Sequence, residues 1–192
     1  MVQLSLSLLA TCVLSGHLAL GGVIQPAPRS AQVCYDGEDA ALLCYHDTSS
    51  GSVPQNVDVT DVSYIGAYLR RYGRQNPRKP AFFTMLAADT AGCAEWTLYT
   101  HGSALALAKH LNPSVNSSVL FEDIAATIDG GDKATDAQKQ AAIIGCLSDG
   151  GSLGVLINGT NPAYAAAEYV ASGYQPGGIL VKIVHSAVST DS

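Results

Sequence analysis

The 192-residue chain has few of the linear signatures that define the common enzyme classes. No His-Glu-x-x-His helix, Walker loop or dinucleotide fingerprint occurs in it, and the Gly-x-Ser-x-Gly spacing of Gly150, Ser152 and Gly154 lies between an expected helix end and an expected strand rather than at a strand-to-helix elbow, so the chemistries built on those motifs, with their cofactors, are not expected. Sites recognised only by geometry stay open. Charge is also scarce, at 14% of residues, and cations are the scarcer sign: 10 Lys and Arg face 16 Asp and Glu, for a net charge of −6. An acidic chain cannot neutralise a run of phosphates, which argues against nucleic acid as a partner. Close cysteine pairs are missing too. The four cysteines after residue 21 are spaced by ten, forty-nine and fifty-three positions, which no zinc site would use. There is no internal repeat beyond two Asp-Gly-Gly stops, no dividing linker and no low-complexity tract.

What is present begins with an apolar leader. Residues 1–22 contain no Asp, Glu, Lys or Arg, are interrupted by small residues, and include the small-x-small pattern Ala19-Leu20-Gly21. The run is too short and broken to span a bilayer, and it reads as a secretory signal over residues 1–21. Residues 22–33, with Gln25-Pro26-Ala27-Pro28, read as an extended segment; residues 34–185 read as one domain, and 186–192 as a loose tail. Removal of the signal takes Cys12 with it and leaves Cys34, Cys44, Cys93 and Cys146, an even set that predicts two disulfides in an oxidising, extracellular setting. Three pairings are open. The Asp36-Gly37 turn favours Cys34 with Cys44, and hence Cys93 with Cys146.

Hydrophobic periodicity predicts an α+β domain in which helices pack on a mixed sheet of about five strands. Strands are expected at 41–46, 82–86, 95–100, 152–157 and 179–184, with the second and third forming a hairpin and the last two a parallel crossover. Val62, Ile65, Leu69 and Tyr72 mark one face of a helix capped by Thr60 and stopped at Gly73. Ala104 to Leu111, a run of strong helix formers after Ser103, predicts a second helix. Further helices are expected from Ser118 to Asp129, from Thr135 to Leu147, and from Asn161-Pro162 to Gly173.

Arg70, Arg71, Arg74, Arg78 and Lys79 place half of all cations in ten positions. Tyr64, Tyr68 and Tyr72 share a helical face, and Tyr68 and Tyr72 adjoin the arginines. Tyr68, Arg70, Arg71, Tyr72 and Arg74 therefore form a candidate partner surface, against the plainer reading that these arginines complement the helix dipole. His101, Glu95 and His110 are the first candidates if an active site without a linear motif exists, although Ser103 beside His101 reads better as a helix cap. The carboxylate pairs Glu38-Asp39 and Glu122-Asp123 read as solvated surface. Sequons at Asn116 and Asn158 are candidate glycosylation sites.

Through Cys93-Ala94-Glu95-Trp96-Thr97-Leu98-Tyr99, Ala106-Leu107-Ala108-Lys109-His110 and Ser118-Val119-Leu120-Phe121-Glu122-Asp123-Ile124, the chain resembles small secreted proteins of filamentous ascomycete fungi. The resemblance runs from about Cys34 to Val184 and implies a candidate effector without enzymatic activity. In element order alone, residues 41–111 plus one later strand are similar to the α/β-sandwich killer toxins of fungal viruses; the helices after Asn112 depart from that order. Three readings follow: a secreted effector that binds a host or cell-wall component, a secreted hydrolase, and a membrane-active toxin. The first is the leading one, without stable membrane insertion.

Overall fold

The computed structural model describes residues 40–46, 52–75, 81–89, 94–112 and 114–187. The expected signal peptide, residues 22–33, Cys34, Arg78, Lys79, Cys93 and all but the start of the tail lie outside the described residues. The fold is α+β. A five-stranded sheet has the order β1-β6-β7-β4-β3, built from β1 (Leu43–Cys44), β6 (Gly151–Gly154), β7 (Ile179–His185), β4 (Ala104–His110) and β3 (Glu95–His101), and a separate ladder joins β2 (Phe82–Met85) to β5 (Ser117–Leu120). All these pairings are antiparallel. Among the described residues four α-helices accompany them: α1 (Val59–Gly73), α2 (Phe121–Asp129), α3 (Asp136–Gln140) and α4 (Ala167–Ser172).

Several local expectations hold. Helix α1 buries Val62, Ile65 and Leu69, α3 starts with a reciprocal Thr135–Gln138 capping box, and Gly173 ends α4 in the left-handed conformation. Asn161 caps a 3-10 turn with Pro162 in its first turn, but the single helix expected from there to Gly173 is divided: the turn ends at Ala165, Ala166 is extended, and α4 starts at Ala167.

Others are corrected. Residues 104–110 form a strand, because Ala104, Ala106 and Ala108 are fully buried on one face while Leu105, Leu107 and Lys109 point to the other, a period of two that fits a strand held between β3 and β7. Tertiary pairing overrides the helix propensity of the run. The partner of β3 is therefore β4 rather than β2, and β6 and β7 run antiparallel rather than as a parallel crossover. Ser118 lies within β5 instead of capping α2. The cap of α1 is Asp58, not Thr60: its Oδ1 accepts from the Thr60 N–H at 2.7 Å and from the Thr60 hydroxyl at 2.8 Å. The helix expected to reach Leu147 ends at Gln140 and gives way to 3-10 turns over Ile143–Asp149. Ser186 is pinned rather than loose, its N–H donating to the Ser103 carbonyl at 2.7 Å.

Cys44 and Cys146 form a disulfide with Cα atoms 5.2 Å apart, which replaces both expected pairings. The cause is non-local. Cys44 lies opposite Gly151 on β6, and the 3-10 turns preceding β6 bring Cys146 beneath it.

The sheet has two unlike faces. The inner face presents Ala104, Ala106, Ala108, Leu153, Ile179, Val181 and Ile183 to α1 and α2, and with Ile65, Leu69, Ile124 and Ile128 these make the main core. The small alanines of β4 let the helices approach closely. The outer face carries Leu107, Val184 and Tyr45, together with Lys182, whose Nζ donates to Glu95 Oε1 at 2.7 Å in a buried ion pair.

Candidate functional site

Helix α1 is bound to the rest of the domain along two sides, and they differ in chemistry. On its sheet side, Tyr64 stacks on His101 with centroids 3.7 Å apart and planes 15° apart, and Tyr68 stacks on Tyr99 at 3.8 Å and 17°. A register shift in β3 makes this row. Thr97 pairs with Leu107, yet Tyr99 pairs with Ala106, so one extra residue lies between them. Unbroken alternation would send Tyr99 and His101 to the outer face with Glu95 and Thr97; the bulge turns them inward onto α1. Burial, first, and then the neighbouring Tyr64 and Tyr68 hold the Tyr99 hydroxyl above its ordinary value.

Asp61, in the first turn of α1, fixes the end of this row. Its Oδ2 accepts from the N–H and hydroxyl of Ser103 at 2.7 and 2.8 Å, and its Oδ1 is 3.8 Å from His101 Nε2. A side chain at Gly102, where φ is +49°, would collide with that carboxylate, so the β3–β4 turn requires glycine for both space and conformation. Ser103 thus ties a hairpin to a helix start, accepting from the Asp58 N–H at 2.7 Å, rather than capping a helix of its own.

The other side of α1 carries charge. Arg70, 7% exposed, meets Asp129 at 2.5 Å and Asp132 at 3.4 Å; Arg74 meets Asp132 at 2.6 Å and also pairs with Glu122. Hydrogen bonds from Arg74 hold the Asp132 carboxyl below its usual range, and the same contacts raise Arg74. A shallow, open depression of about 370 Å³ is lined by Ala67, Arg70, Arg71, Arg74, Gln75 and Asp132. It is not a free cationic pocket, because two of its three arginines are already engaged by carboxylates. Of the candidate partner surface, Arg70 is therefore internal and Arg74 is paired, while Arg71 and Tyr72 are exposed and Tyr68 is half-buried. Tyr64, 42% exposed, with Tyr99 and His101, extends what remains. Sequence reasoning missed Tyr99 and His101 as members, since only the bulge puts them on this face.

The three residues considered for catalysis are not brought together. Glu95 belongs to the buried pair with Lys182 on the outer face, and His101 lies in the aromatic row. His110 Nε2 is 2.8 Å from Ser117 Oγ, a serine–histidine contact that sequence did not single out. Burial lowers the His110 value, its Nδ1 has no partner, and Ser117 is fully buried, with Gly178 so close that a Cβ there would lie 2.9 Å from its hydroxyl. A nucleophile needs substrate access and an oriented base. This pair has neither.

Asp123 is 5% exposed, not solvated as expected for the Glu122-Asp123 pair. It accepts from the Tyr164 hydroxyl at 2.6 Å and the Asn158 N–H at 3.2 Å, and burial raises its pKa. Tyr164 in turn accepts from the Leu120 N–H at 2.9 Å, while Tyr169, with a hydroxyl pushed up to about 12 by burial, donates to the Ser118 carbonyl. These bonds clamp the segment after β6 to β5 and α2. Asn116 and Asn158 are both exposed. Among the described residues no group of three or more His, Cys, Asp or Glu side chains is placed to hold a metal ion, and no helix is long and apolar enough to cross a membrane. Comparison with protein-family models, with curated proteins and with solved structures finds no match to this chain.

Proposed function

We propose that the protein is a secreted, non-enzymatic binding protein of the effector type, and that it engages a host or cell-wall component through the aromatic row where α1 meets β3. The observation that carries this reading is the stacked and partly exposed set Tyr64, Tyr68, Tyr99 and His101, flanked by exposed Arg71 and Tyr72. Tyrosine and arginine are enriched at recognition surfaces, tyrosine because it supplies contact area and a hydrogen bond with little entropy to lose, arginine because its planar fork makes several hydrogen bonds at once. The rings are already held by one another and by α1, so a partner would meet a preformed face. The resemblance to secreted fungal proteins and the cysteines after the apolar leader support the compartment.

The test compares secreted wild type with Tyr64→Ser and Arg71→Gln in sedimentation with insoluble cell-wall polysaccharides and in binding to host cells. Retention by one of these targets, with loss in both variants, is the expected result. Equal binding by folded variants overturns the proposed surface. The competing hydrolase reading has one specific observation, the Ser117–His110 contact, and makes a different demand: a serine-directed fluorophosphonate should then label Ser117 in the native protein, and Ser117→Ala should abolish turnover.

A further inference from the structure

The aromatic row where α1 meets β3 is built in two layers. Ring centroids are 3.7 Å apart between Tyr64 and His101 and 3.8 Å apart between Tyr68 and Tyr99, but 6.5 Å apart on the diagonal from Tyr64 to Tyr99, and the planes across each contact differ by 25° or less. Tyr64 and Tyr68, one helical turn apart, therefore lie as one layer over His101 and Tyr99, two residues apart on β3. Each ring is covered on one face by its partner in the other layer. Tyr64 remains 42% exposed and Tyr68 half-buried.

Arg71 continues the line. It follows Tyr64 by seven residues, about 10 Å along the helix on the same stripe. It is exposed, and unlike Arg70 and Arg74 it meets no carboxylate among the described residues. The Tyr99 hydroxyl, raised chiefly by burial and then by Tyr64 and Tyr68, is lowered by Arg71, so the guanidinium stands beside the phenols. The depression that Arg71 lines on its other flank is shallow and open. Such ground suits a chain lying across the surface, whereas a small molecule is held in an enclosing pocket.

The parts of this line define the chemistry that fits it. The C–H groups of a pyranose ring carry slight positive charge and settle on the negative face of a tyrosine ring. Phenol hydroxyls exchange hydrogen bonds with sugar hydroxyls. A guanidinium offers a planar fork that matches one carboxylate. A neutral glycan would leave that fork unused. A densely charged polyanion would be repelled by a chain of net charge −6, with Asp61 at one end of the row and Asp132 in the depression at the other.

We propose, on the reading that this row is the binding surface, that its ligand is a polyuronate, an acidic polysaccharide with one carboxylate per sugar, whose sugar faces lie on Tyr64 and Tyr68 while Arg71 holds a carboxylate. The experiment titrates full-length secreted protein, by affinity electrophoresis, with polygalacturonate, its methyl ester, a neutral β-glucan and dextran sulfate. Polygalacturonate should bind about tenfold or more tighter than its ester, because esterification removes a charge-assisted hydrogen-bonded pair, and its binding should weaken with salt. Arg71→Gln should bind acid and ester alike, and Tyr64→Ser should bind neither. Lys139→Gln, which removes one cation from α3, should behave as wild type.

Equal binding of acid and ester by wild type, preference for the neutral glucan, or stronger binding of dextran sulfate overturns the polyuronate. Binding of none of the four does so too; if host cells are then still bound, and released in Tyr64→Ser, the surface stands and only its ligand class is wrong. If instead folded Arg71→Gln and Tyr64→Ser bind polygalacturonate as wild type does, the surface itself is wrong. Should a variant fail to fold, the comparison of acid with ester on wild type still decides the ligand class.

Discussion

The two sides of α1 show how one helix can be held by charge and by aromatic contact with different consequences for what a partner would meet. Arg70 and Arg74 reach across to carboxylates on and just after α2, and each bond made within the domain neutralises a cation, buried at Arg70 and exposed at Arg74. Tyr64 and Tyr68 spend one ring face on His101 and Tyr99 and remain partly accessible. A clustered charge in a sequence therefore says less about partners than an aromatic row does, because an acidic chain supplies its own counter-ions.

That contrast can be broken most forcefully at Arg70. Arg70→Met would leave the Asp129 carboxylate, 9% exposed, without its counter-charge, at a cost of about 3–5 kcal/mol in urea unfolding. The double variant Arg70→Met/Asp129→Leu should recover most of that loss, and a single-variant cost below about 1 kcal/mol would show that the charged side does not hold the helix. Gly66→Ala tests the same seam by volume. Its Cβ would lie 2.5 Å from Asp129 Oδ2, and about 1–3 kcal/mol should be lost, whereas Ala67→Gly on the exposed face should cost only about 1 kcal/mol of helix propensity.

On the aromatic side, Tyr64→Ser should cost about 0.5–1.5 kcal/mol, measured by thermal melting, while abolishing partner binding. A large stability loss would make that side as structural as the other. The smallest effect is in acid. Arg74 holds Asp132 below the ordinary carboxyl value of 3.8, so this contribution is complete above that value and is lost as pH falls through the lower folded one. Asp123 works the other way, because its raised value means that acid relieves the cost of burying its charge. Melting of Asp132→Asn between pH 5 and about 3, set against wild type, isolates the first response.

Legibility in the sequence followed the range of the interactions. Helix α1 is legible because Val62, Ile65 and Leu69 repeat at helical spacing, and the capping box at Thr135 and the Asn161-Pro162 turn are equally local. Strand β4 was misread because its alanines and leucines favour a helix by propensity, and only β3 and β7 on its flanks select the alternating face. The candidate site was half visible. Tyr64 and Tyr68 share a helix face, but the bulge that delivers Tyr99 and His101 exists only as an offset between paired strands, and Arg70 and Asp129 are fifty-nine residues apart. The disulfide closes a separation of 102 residues, for which turn signals near Cys34 hold no information.

The sheet order has a further meaning for the history of each molecule. Strand β7 sits between β6 and β4 and bonds to both, yet it follows every other described strand. During synthesis β1, β6, β4 and β3 emerge before the partner that joins them, leaving the apolar faces of two half-sheets incomplete. Closure of the core waits for residues 179–185, so a nascent chain halted before Ile179 would expose two open strand edges and should fail quality control as an aggregating species rather than persist as a partly working domain.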